Sequence, residues 1–149
     1  MKTASDIMST TVVTLSPDTD ITTAARVLLE KDINGAPVVD DQGRLVGLLC
    51  QSDLVRLQKK LPIPSLFTML DGFLPLGSLS QYEQEIRRIA AATVADAMTT
   101  QVTTIRPDTP LETIASLMVD KKYHTLPVVQ NGQLVGIVGK KDVIQTLLS

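Results

Sequence analysis

The sequence predicts an α/β (α+β) fold in which two tandem β-α-β-β-α repeats pack with pseudo-two-fold symmetry, as small mixed sheets flanked by helices. Three observations lead to this prediction. Residues 3–39 realign on residues 93–129 at a constant shift of about 90 residues, which indicates an internal duplication. Each copy alternates helical apolar spacing with β-branched segments. Each copy has roughly 55 residues, and a domain of that size is only marginally stable by itself. The length therefore favours two copies packed together.

Each copy is predicted to open with a helical turn and a short strand. Thr3 lies three residues before Asp6, the spacing of a capping box. The β-branched residues 12–15 then predict a strand that ends before Pro17. The second copy repeats this pattern at Thr93, Asp96, residues 102–105 and Pro107.

A longer helix is predicted to follow. Thr109 is a candidate N-cap with Pro110 at the first helical position, and residues 19–20 occupy the equivalent place. The helices are expected to end at Asp32 and Lys122. Their apolar stripes are Ile21, Ala24, Ala25, Leu28 and Leu29 in the first copy, and Leu111, Ile114, Ala115, Met118 and Val119 in the second.

A β-hairpin and a second helix complete each copy. The hairpin's first strand is predicted to begin at Pro37, where the missing amide donor matters least. Residues 41–43 form the turn, residues 45–49 form an apolar strand expected to be central and buried, and residues 52–60 form the helix. The equivalents are Pro127 and residues 131–132, 134–138 and 141–148.

The predicted organisation is repeat 1 at residues 1–60, an apolar insert with a helix at residues 61–92, and repeat 2 at residues 93–149. Ser80 and Glu83 form a capping box ahead of a helix expected to run to Ala92. Prolines and a break at residues 71–72 prevent the insert from spanning a membrane. The insert either folds over its own core or contacts a second copy or an effector; we favour self-packing with some dimer contact.

Composition excludes several classes of protein. One histidine and one cysteine leave no His/Cys zinc site and no disulfide, so no metal site is predicted. A net charge of −2 without basic clusters argues against nucleic-acid binding. The sequence has no signal peptide pattern and no membrane helix, so a cytoplasmic protein is expected.

Three motifs of the first copy, Pro37-Val38-Val39, Leu45-Val46-Gly47 and Asp53, recur in the second as Pro127-Val128-Val129, Leu134-Val135-Gly136 and Asp142. With these motifs and the order β-α-β-β-α, the two copies resemble the cystathionine-β-synthase (CBS) domain, and a tandem pair resembles the module often called a Bateman module. The resemblance implies a regulatory protein, not an enzyme, that binds AMP, ADP, ATP or S-adenosylmethionine between its repeats and has no catalytic cofactor. It further implies a homodimer that signals in trans to an unknown effector protein.

The resemblance implies that Asp53 and Asp142, at the end of a Gly-x-x-Thr/Ser-x-x-Asp motif, hold the ribose hydroxyls of the ligand. An alternative is that both only favour the N-terminal end of a helix. Cys50 and Gly139 replace a Thr or Ser of the motif, and Cys50 fits better as a small buried hydrophobe. The clefts could therefore be degenerate, which leaves a ligand-independent dimerisation or interaction module as the alternative function.

The resemblance also implies positions for adenine and phosphate contacts, and the same positions suit residues of the core. The adenine positions are Thr11, Val12, Val13, Asn34, Gly35, Ala36 and Pro37, with Gln101, Val102, Thr103, His124, Thr125, Leu126 and Pro127. Ser52 belongs to the first motif. The candidate phosphate partners are His124, Arg56, Lys140 and Lys141, each of which is also an ordinary surface residue.

Overall fold

A computed structural model describes residues 1–60 and 92–148, and these residues form two halves with the same order of elements. The first half contains α1 (Ala4–Ile7), α2 (Ile21–Glu30), β1 (Gly35–Val39), β2 (Leu45–Cys50) and α3 (Gln51–Lys60). The second contains α4 (Val94–Ala97), α5 (Leu111–Asp120), β3 (Thr125–Gln130), β4 (Gln133–Gly139), α6 (Lys140–Gln145) and a 3₁₀ turn (Thr146–Leu148). The predicted fold class and duplication are confirmed, whereas residues 61–91 of the predicted insert and its helix lie outside the described residues.

The predicted opening strands are shorter than the sequence suggested. β1 pairs with β2 and β3 with β4, both antiparallel, and residues 12–15 add only one parallel bridge, from Leu15 to Val38. Ile105 makes the equivalent bridge to Val128. The prediction of four-residue strands is wrong, because only Leu15 and Ile105 of these segments pair with a neighbouring strand, while Val13 lines a cavity between the halves.

Pro37 lies in the middle of its strand, not at the start as predicted, because β1 begins at Gly35. The Pro37 carbonyl accepts a hydrogen bond from Leu15 N–H at 2.9 Å. The N–H and C=O of one strand residue face the same side, so the nitrogen of Pro37 also faces the irregular segment around Leu15, not β2. The missing donor therefore costs β1 no bond to β2.

The most buried strands are β1 and β3, not the following strands as predicted. β1 lies between the bridge at Leu15 and β2, and its first four residues are buried. In β2 only Gly47 and Leu49 are fully buried, and at its outer edge Leu48 exchanges two backbone hydrogen bonds of 2.9 Å with Thr99 of the second half.

The helix caps agree with the sequence in part. Thr3 N–H donates to Asp6 Oδ2 at 2.8 Å, as the capping box predicts, and this bond lowers the pKa of Asp6. Asp20 caps α2 by accepting from Thr23 N–H at 3.0 Å. Thr109 does not cap α5: its hydroxyl accepts from Arg106 N–H at 2.9 Å within the preceding turn, and Pro110 becomes the N-cap.

The turns follow the predicted chemistry. Asp32 and Lys122 have φ values of 51° and 60°, so both long helices end in the left-handed conformation. Asn131 and Gly132 have φ values of 54° and 79°, as a two-residue type I′ hairpin requires. The final helices start one residue earlier than predicted, and the second continues as the 3₁₀ turn.

Each half completes the hydrophobic core of the other. Ala4, at the start of the chain, is fully buried in a cluster with Ile114 and Leu126, and Val94 is buried with Leu28 and Leu49 of the first half. Backbone hydrogen bonds hold both segments, including Ala4 N–H to the Thr109 carbonyl at 2.9 Å and Val94 N–H to the Thr19 carbonyl at 2.8 Å. The two halves therefore form one cooperative unit, and a shift in one strains the core of the other. Within the described ranges, no helix has the length and apolar character needed to cross a membrane.

Candidate functional site

A cavity of about 250 Å³ lies between the two halves, and we call it the Asp142 cavity. Predicted site residues from both copies line it. Residues that lie far apart in the sequence therefore form one site in the structure. Sequence reasoning missed Ser9, Asp32, Ile33 and Ile137. The predicted residues that line it are Thr11, Val13, Asn34, Gly35, His124, Thr125, Lys140, Lys141 and Asp142, and Gly139, which stands where the motif has a Thr or Ser, lines it as well.

Asp142 offers one carboxylate oxygen to the cavity. It stands in the first turn of α6, where its Oδ2 accepts a hydrogen bond from Gly139 N–H at 2.7 Å. This bond is the reciprocal half of a capping box, so the helix-capping interpretation holds for that oxygen. No residue in the described ranges donates to Oδ1, so Asp142 can accept further hydrogen bonds from a ligand.

Two lysines bring positive charge to the mouth of the cavity. Lys141 Nζ lies 3.6 Å from Asp32 Oδ2 of the first half, and both side chains are largely exposed. An exposed ion pair contributes little to stability, so an anionic ligand can replace Asp32 as the partner at small cost. Lys140 donates its backbone N–H to the His124 carbonyl at 3.2 Å, which fixes the start of α6 beside the cavity.

Asp53, the equivalent residue in the first half, is occupied by partners within the protein. Its Oδ2 accepts from Cys50 N–H at 2.8 Å, and its Oδ1 accepts from the Arg56 guanidinium and from the Thr99 hydroxyl at 3.0 Å. The residue is only 5% exposed. The positions equivalent to Arg56 and Thr99 hold Gln145 and Ser9, and neither contacts Asp142 through a hydrogen bond in the described residues.

A second cavity of about 500 Å³ lies beside Asp53, and of the predicted site residues it contains only Asp53 and Arg56. None of the predicted adenine positions lines it. Its lining consists of Asp53, Arg56, Leu57, Lys59, Asp96, Ala97, Met98 and Thr99. The two aspartates therefore lie in different surroundings despite their equivalent sequence positions.

Other predicted site residues line neither cavity. The strand residues Ala36, Pro37, Leu126 and Pro127 are buried in the cores. Thr103 donates its hydroxyl to the hydroxyl of Tyr123 at 2.9 Å. The remaining ones are half-buried or exposed elsewhere: Val12, Val102, Gln101 and Ser52. None of these positions contributes to the lining of either cavity.

Cys50 is half-buried, and its sulfur packs against Gly35, so that a Cβ atom built on Gly35 would lie 2.9 Å from Sγ. Burial, and then the negative charge of Asp53, raise the pKa of the thiol from 9.0 to about 11. The folded chain therefore holds this proton more tightly than the unfolded chain. The neutral thiol contributes to the free energy of unfolding below pH 9, and this contribution is lost as the pH rises from about 9 to 11. These surroundings fit the predicted role as a small hydrophobe.

We expect iodoacetamide to alkylate Cys50 slowly at pH 8. A two-unit rise in pKa lowers the thiolate fraction about 100-fold, and the higher nucleophilicity of the thiolate restores part of this, so the net rate should fall about tenfold. The measurement compares the native protein with the urea-unfolded protein by mass spectrometry. Equal rates in the two states would show that the thiol is neither buried nor perturbed.

The chain matches the CBS domain family twice, over residues 4–60 and 94–149. It belongs to that family. An uncharacterised protein of Methanocaldococcus jannaschii is 31% identical to this CBS pair, over 96% of this chain and 89% of the relative. The chain spans 58% of the length of the chloroplastic CBS domain-containing protein CBSX2 of Arabidopsis thaliana, at 30% identity. CBS pairs are regulatory domains that are typically non-catalytic.

Solved structures of CBS pairs share this fold. The crystal structure of CBSX2 in complex with AMP is 28% identical, with a TM-score of 0.76 over 99% of this chain and 97% of that chain. The CBS pair of protein MJ0100, in complex with 5′-methylthioadenosine and S-adenosyl-L-methionine, is 25% identical, with a TM-score of 0.71 over 99% and 96%. Both of these solved CBS pairs hold adenosine-containing ligands.

Proposed function

We propose that this CBS pair is a sensor that binds an adenosine-containing ligand in the Asp142 cavity and signals to a partner protein in trans. AMP, ADP, ATP and S-adenosylmethionine are the candidate ligands. The observation that carries the proposal is a cavity that both halves line and that includes the Asp142 carboxylate. Its Oδ1 accepts no hydrogen bond from the described residues. The AMP complex of CBSX2 supports the choice of ligand class.

The lining residues suit the parts of such a ligand. Asp142 Oδ1 accepts hydrogen bonds from the ribose diol, because an ionised carboxylate is an acceptor without a donor. Val13 and Ile137 provide apolar surface for the adenine ring, and main-chain groups near Asn34 hydrogen-bond to the polar edge of the ring. Lys140 and Lys141 attract a phosphate at the cavity mouth.

Binding is coupled to the packing of the two halves because the cavity draws residues from both. A ligand that contacts residues on both sides favours the relative arrangement in which those contacts fit best. Ala4 and Val94 are each buried in the core of the opposite half. A change in the packing of the two halves therefore affects both hydrophobic cores. The proposal includes a cytoplasmic homodimer, and Leu29 and Val119, equivalent helix residues that are 73% and 75% exposed, provide matched apolar surface for it.

Isothermal titration calorimetry tests the proposal directly. We expect saturable binding of AMP or another of the four ligands by the folded protein, with thermal stabilisation that grows with ligand concentration. Ligand at 100 times Kd should add about 2.7 kcal/mol to the free energy of unfolding. Guanosine monophosphate is the control, because it keeps the ribose and phosphate but changes the edge of the base.

The competing function, a ligand-independent interaction module, predicts no heat of binding. A folded protein that shows neither heat nor a melting shift with any of the four ligands at millimolar concentration would exclude the sensor. Equal binding of AMP and guanosine monophosphate would contradict recognition of adenine while retaining a nucleotide site.

A further inference from the structure

The mouth of the Asp142 cavity joins opposite charges from the two halves. Asp32 directly follows the C-cap of α2 in the first half, and its Oδ2 lies 3.6 Å from the Nζ of Lys141 in α6 of the second half. Among the described residues that line the cavity, the carboxylates are Asp32 and Asp142 and the lysines are Lys140 and Lys141. With Asp142 assigned to the ribose and His124 neutral, two lysines against one aspartate leave one net positive charge for a ligand group at the mouth.

The local structure does not explain an acidic residue at position 32. Asp32 has a φ of 51°, a left-handed conformation in which glycine or asparagine is the usual residue. It also follows the C-terminal end of a helix, whose partial negative charge favours a cation over a carboxylate. The equivalent residue after α5 is Lys122, with a φ of 60°, and its charge agrees with that preference. Asp32 therefore opposes its local electrostatics, and such departures are expected where a residue serves a site.

The ion pair between Asp32 and Lys141 does not explain the carboxylate either. The two side chains are 92% and 80% exposed, and an exposed ion pair contributes little to stability. A phosphate that approaches Lys141 also comes within a few ångströms of Asp32, because the two charged groups lie 3.6 Å apart. Like charges at such distances repel each other, and the repulsion grows with each negative charge on the ligand.

We infer that Asp32 sets the charge selectivity of the Asp142 cavity and disfavours di- and triphosphates. This inference rests on the proposed function and narrows its ligand class. A single phosphate meets the one net positive charge at the mouth. The further phosphates of ADP and ATP add negative charge beside Asp32, and no third lysine and no arginine of the described residues lines the cavity to compensate for it. AMP should therefore bind more tightly than ATP.

Calorimetric titration with adenosine, AMP and ATP, at low ionic strength and without magnesium, tests the inference on the wild type and Asp32→Asn. Asparagine suits the left-handed conformation and removes only the charge. We expect Asp32→Asn to bind ATP about fivefold more tightly than the wild type does, AMP about twofold more tightly, and adenosine equally well. Asp32→Lys, which introduces the residue of the second copy, should strengthen ATP binding about 20-fold. Sodium chloride at about 0.5 M should reduce both gains, since salt screens exposed charges.

Asp41→Asn is the matched control, because it removes the same charge from an exposed residue that lines neither cavity. Asp41 lies in the turn between β1 and β2, at the opposite end of β1 from Gly35, which lines the Asp142 cavity. We expect the affinities of Asp41→Asn for all three ligands to stay within about 1.5-fold of the wild type, since the distance and the salt screen its charge.

The possible outcomes separate the inference from the proposed function. Tighter binding of ATP than of AMP by the wild type overturns the inference, and so does an unchanged ratio of the two affinities in both Asp32 variants, while the sensor function stands. An equal gain in Asp41→Asn also overturns it, because the net charge of the chain would then decide. If the wild type binds S-adenosylmethionine alone, Asp32→Asn should weaken that positively charged ligand about threefold, and an unchanged affinity overturns the inference. A wild-type protein that binds none of these ligands contradicts the proposed function instead.

Discussion

Replacing Asp142 with Asn is expected to weaken AMP binding at least about 30-fold, the equivalent of roughly 2 kcal/mol. Asn keeps one oxygen to accept the hydrogen bond from Gly139 N–H, so α6 retains its cap. Its NH₂ group cannot accept a hydrogen bond, and the negative charge that strengthens bonds from ribose hydroxyls is lost. Calorimetry with AMP measures the change, and circular dichroism confirms that the variant folds.

Asp53→Asn is the matched control, because it makes the same chemical change at the equivalent position. We expect AMP affinity within about threefold of the wild type, since Asp53 is occupied by Cys50, Arg56 and Thr99. The free energy of unfolding should fall, because Arg56 loses the charge of its partner. Loss of binding in Asp53→Asn with retention in Asp142→Asn would place the ligand in the other half and contradict the assignment of the cavity.

Gly136→Ala is expected to lower the free energy of unfolding by about 1–3 kcal/mol, which is a fall of roughly 3–9 °C in melting temperature for a chain of this size. A Cβ atom at this position would lie 2.6 Å from Met8 Sδ and 3.1 Å from the Ser9 carbonyl oxygen. The methionine can move, but Ser9 is fixed by two backbone hydrogen bonds to Ile137, of 2.9 and 3.0 Å. The extra methyl group therefore pushes the two halves apart. Chemical and thermal unfolding measure the effect.

Gly139→Ala, on the same strand, is the control for the loss of a glycine. Its Cβ atom meets nothing within 3.7 Å, so we expect a change of no more than about 0.5 kcal/mol, or a small gain from the stiffer unfolded chain. Equal destabilisation by both substitutions would show that backbone propensity, not contact between the halves, decides the result. No loss in Gly136→Ala would mean that the halves pack less closely than the distances indicate.

The sequence predicted the elements of the fold well where the signals were local. Capping of α1 by Asp6, the helix end at Asp32 and the Asn131-Gly132 turn depend on residues within a few positions of one another. The predictions failed where a distant segment decided the outcome. Residues 12–15 have the composition of a strand, yet Thr11 and Val13 face the cavity and only the bridge at Leu15 forms.

The candidate site was predicted less completely. The family motif identifies Asp53 and Asp142 as equivalent, and it also points to strand residues such as Ala36 and Leu126 that the structure buries in the cores. Ser9 was missed although it directly follows Met8, as Thr99 follows Met98 in the other copy. That repeated position is a signal in the sequence, but only the structure shows that it contacts the opposite half.

The sequence by itself determined the duplication, the order of elements and the family, because periodicity, caps and turns are properties of short stretches of chain. The tertiary structure decided which aspartate is available. Asp53 accepts hydrogen bonds from Arg56, one turn along its own helix, and from Thr99, 46 positions away in the sequence. The equivalent positions around Asp142 hold Gln145 and Ser9, which do not hydrogen-bond to it, so one of its oxygens has no donor among the described residues. Hydrogen bonding depends on distances in space, and two copies of one motif differ as soon as their neighbours in the opposite half differ.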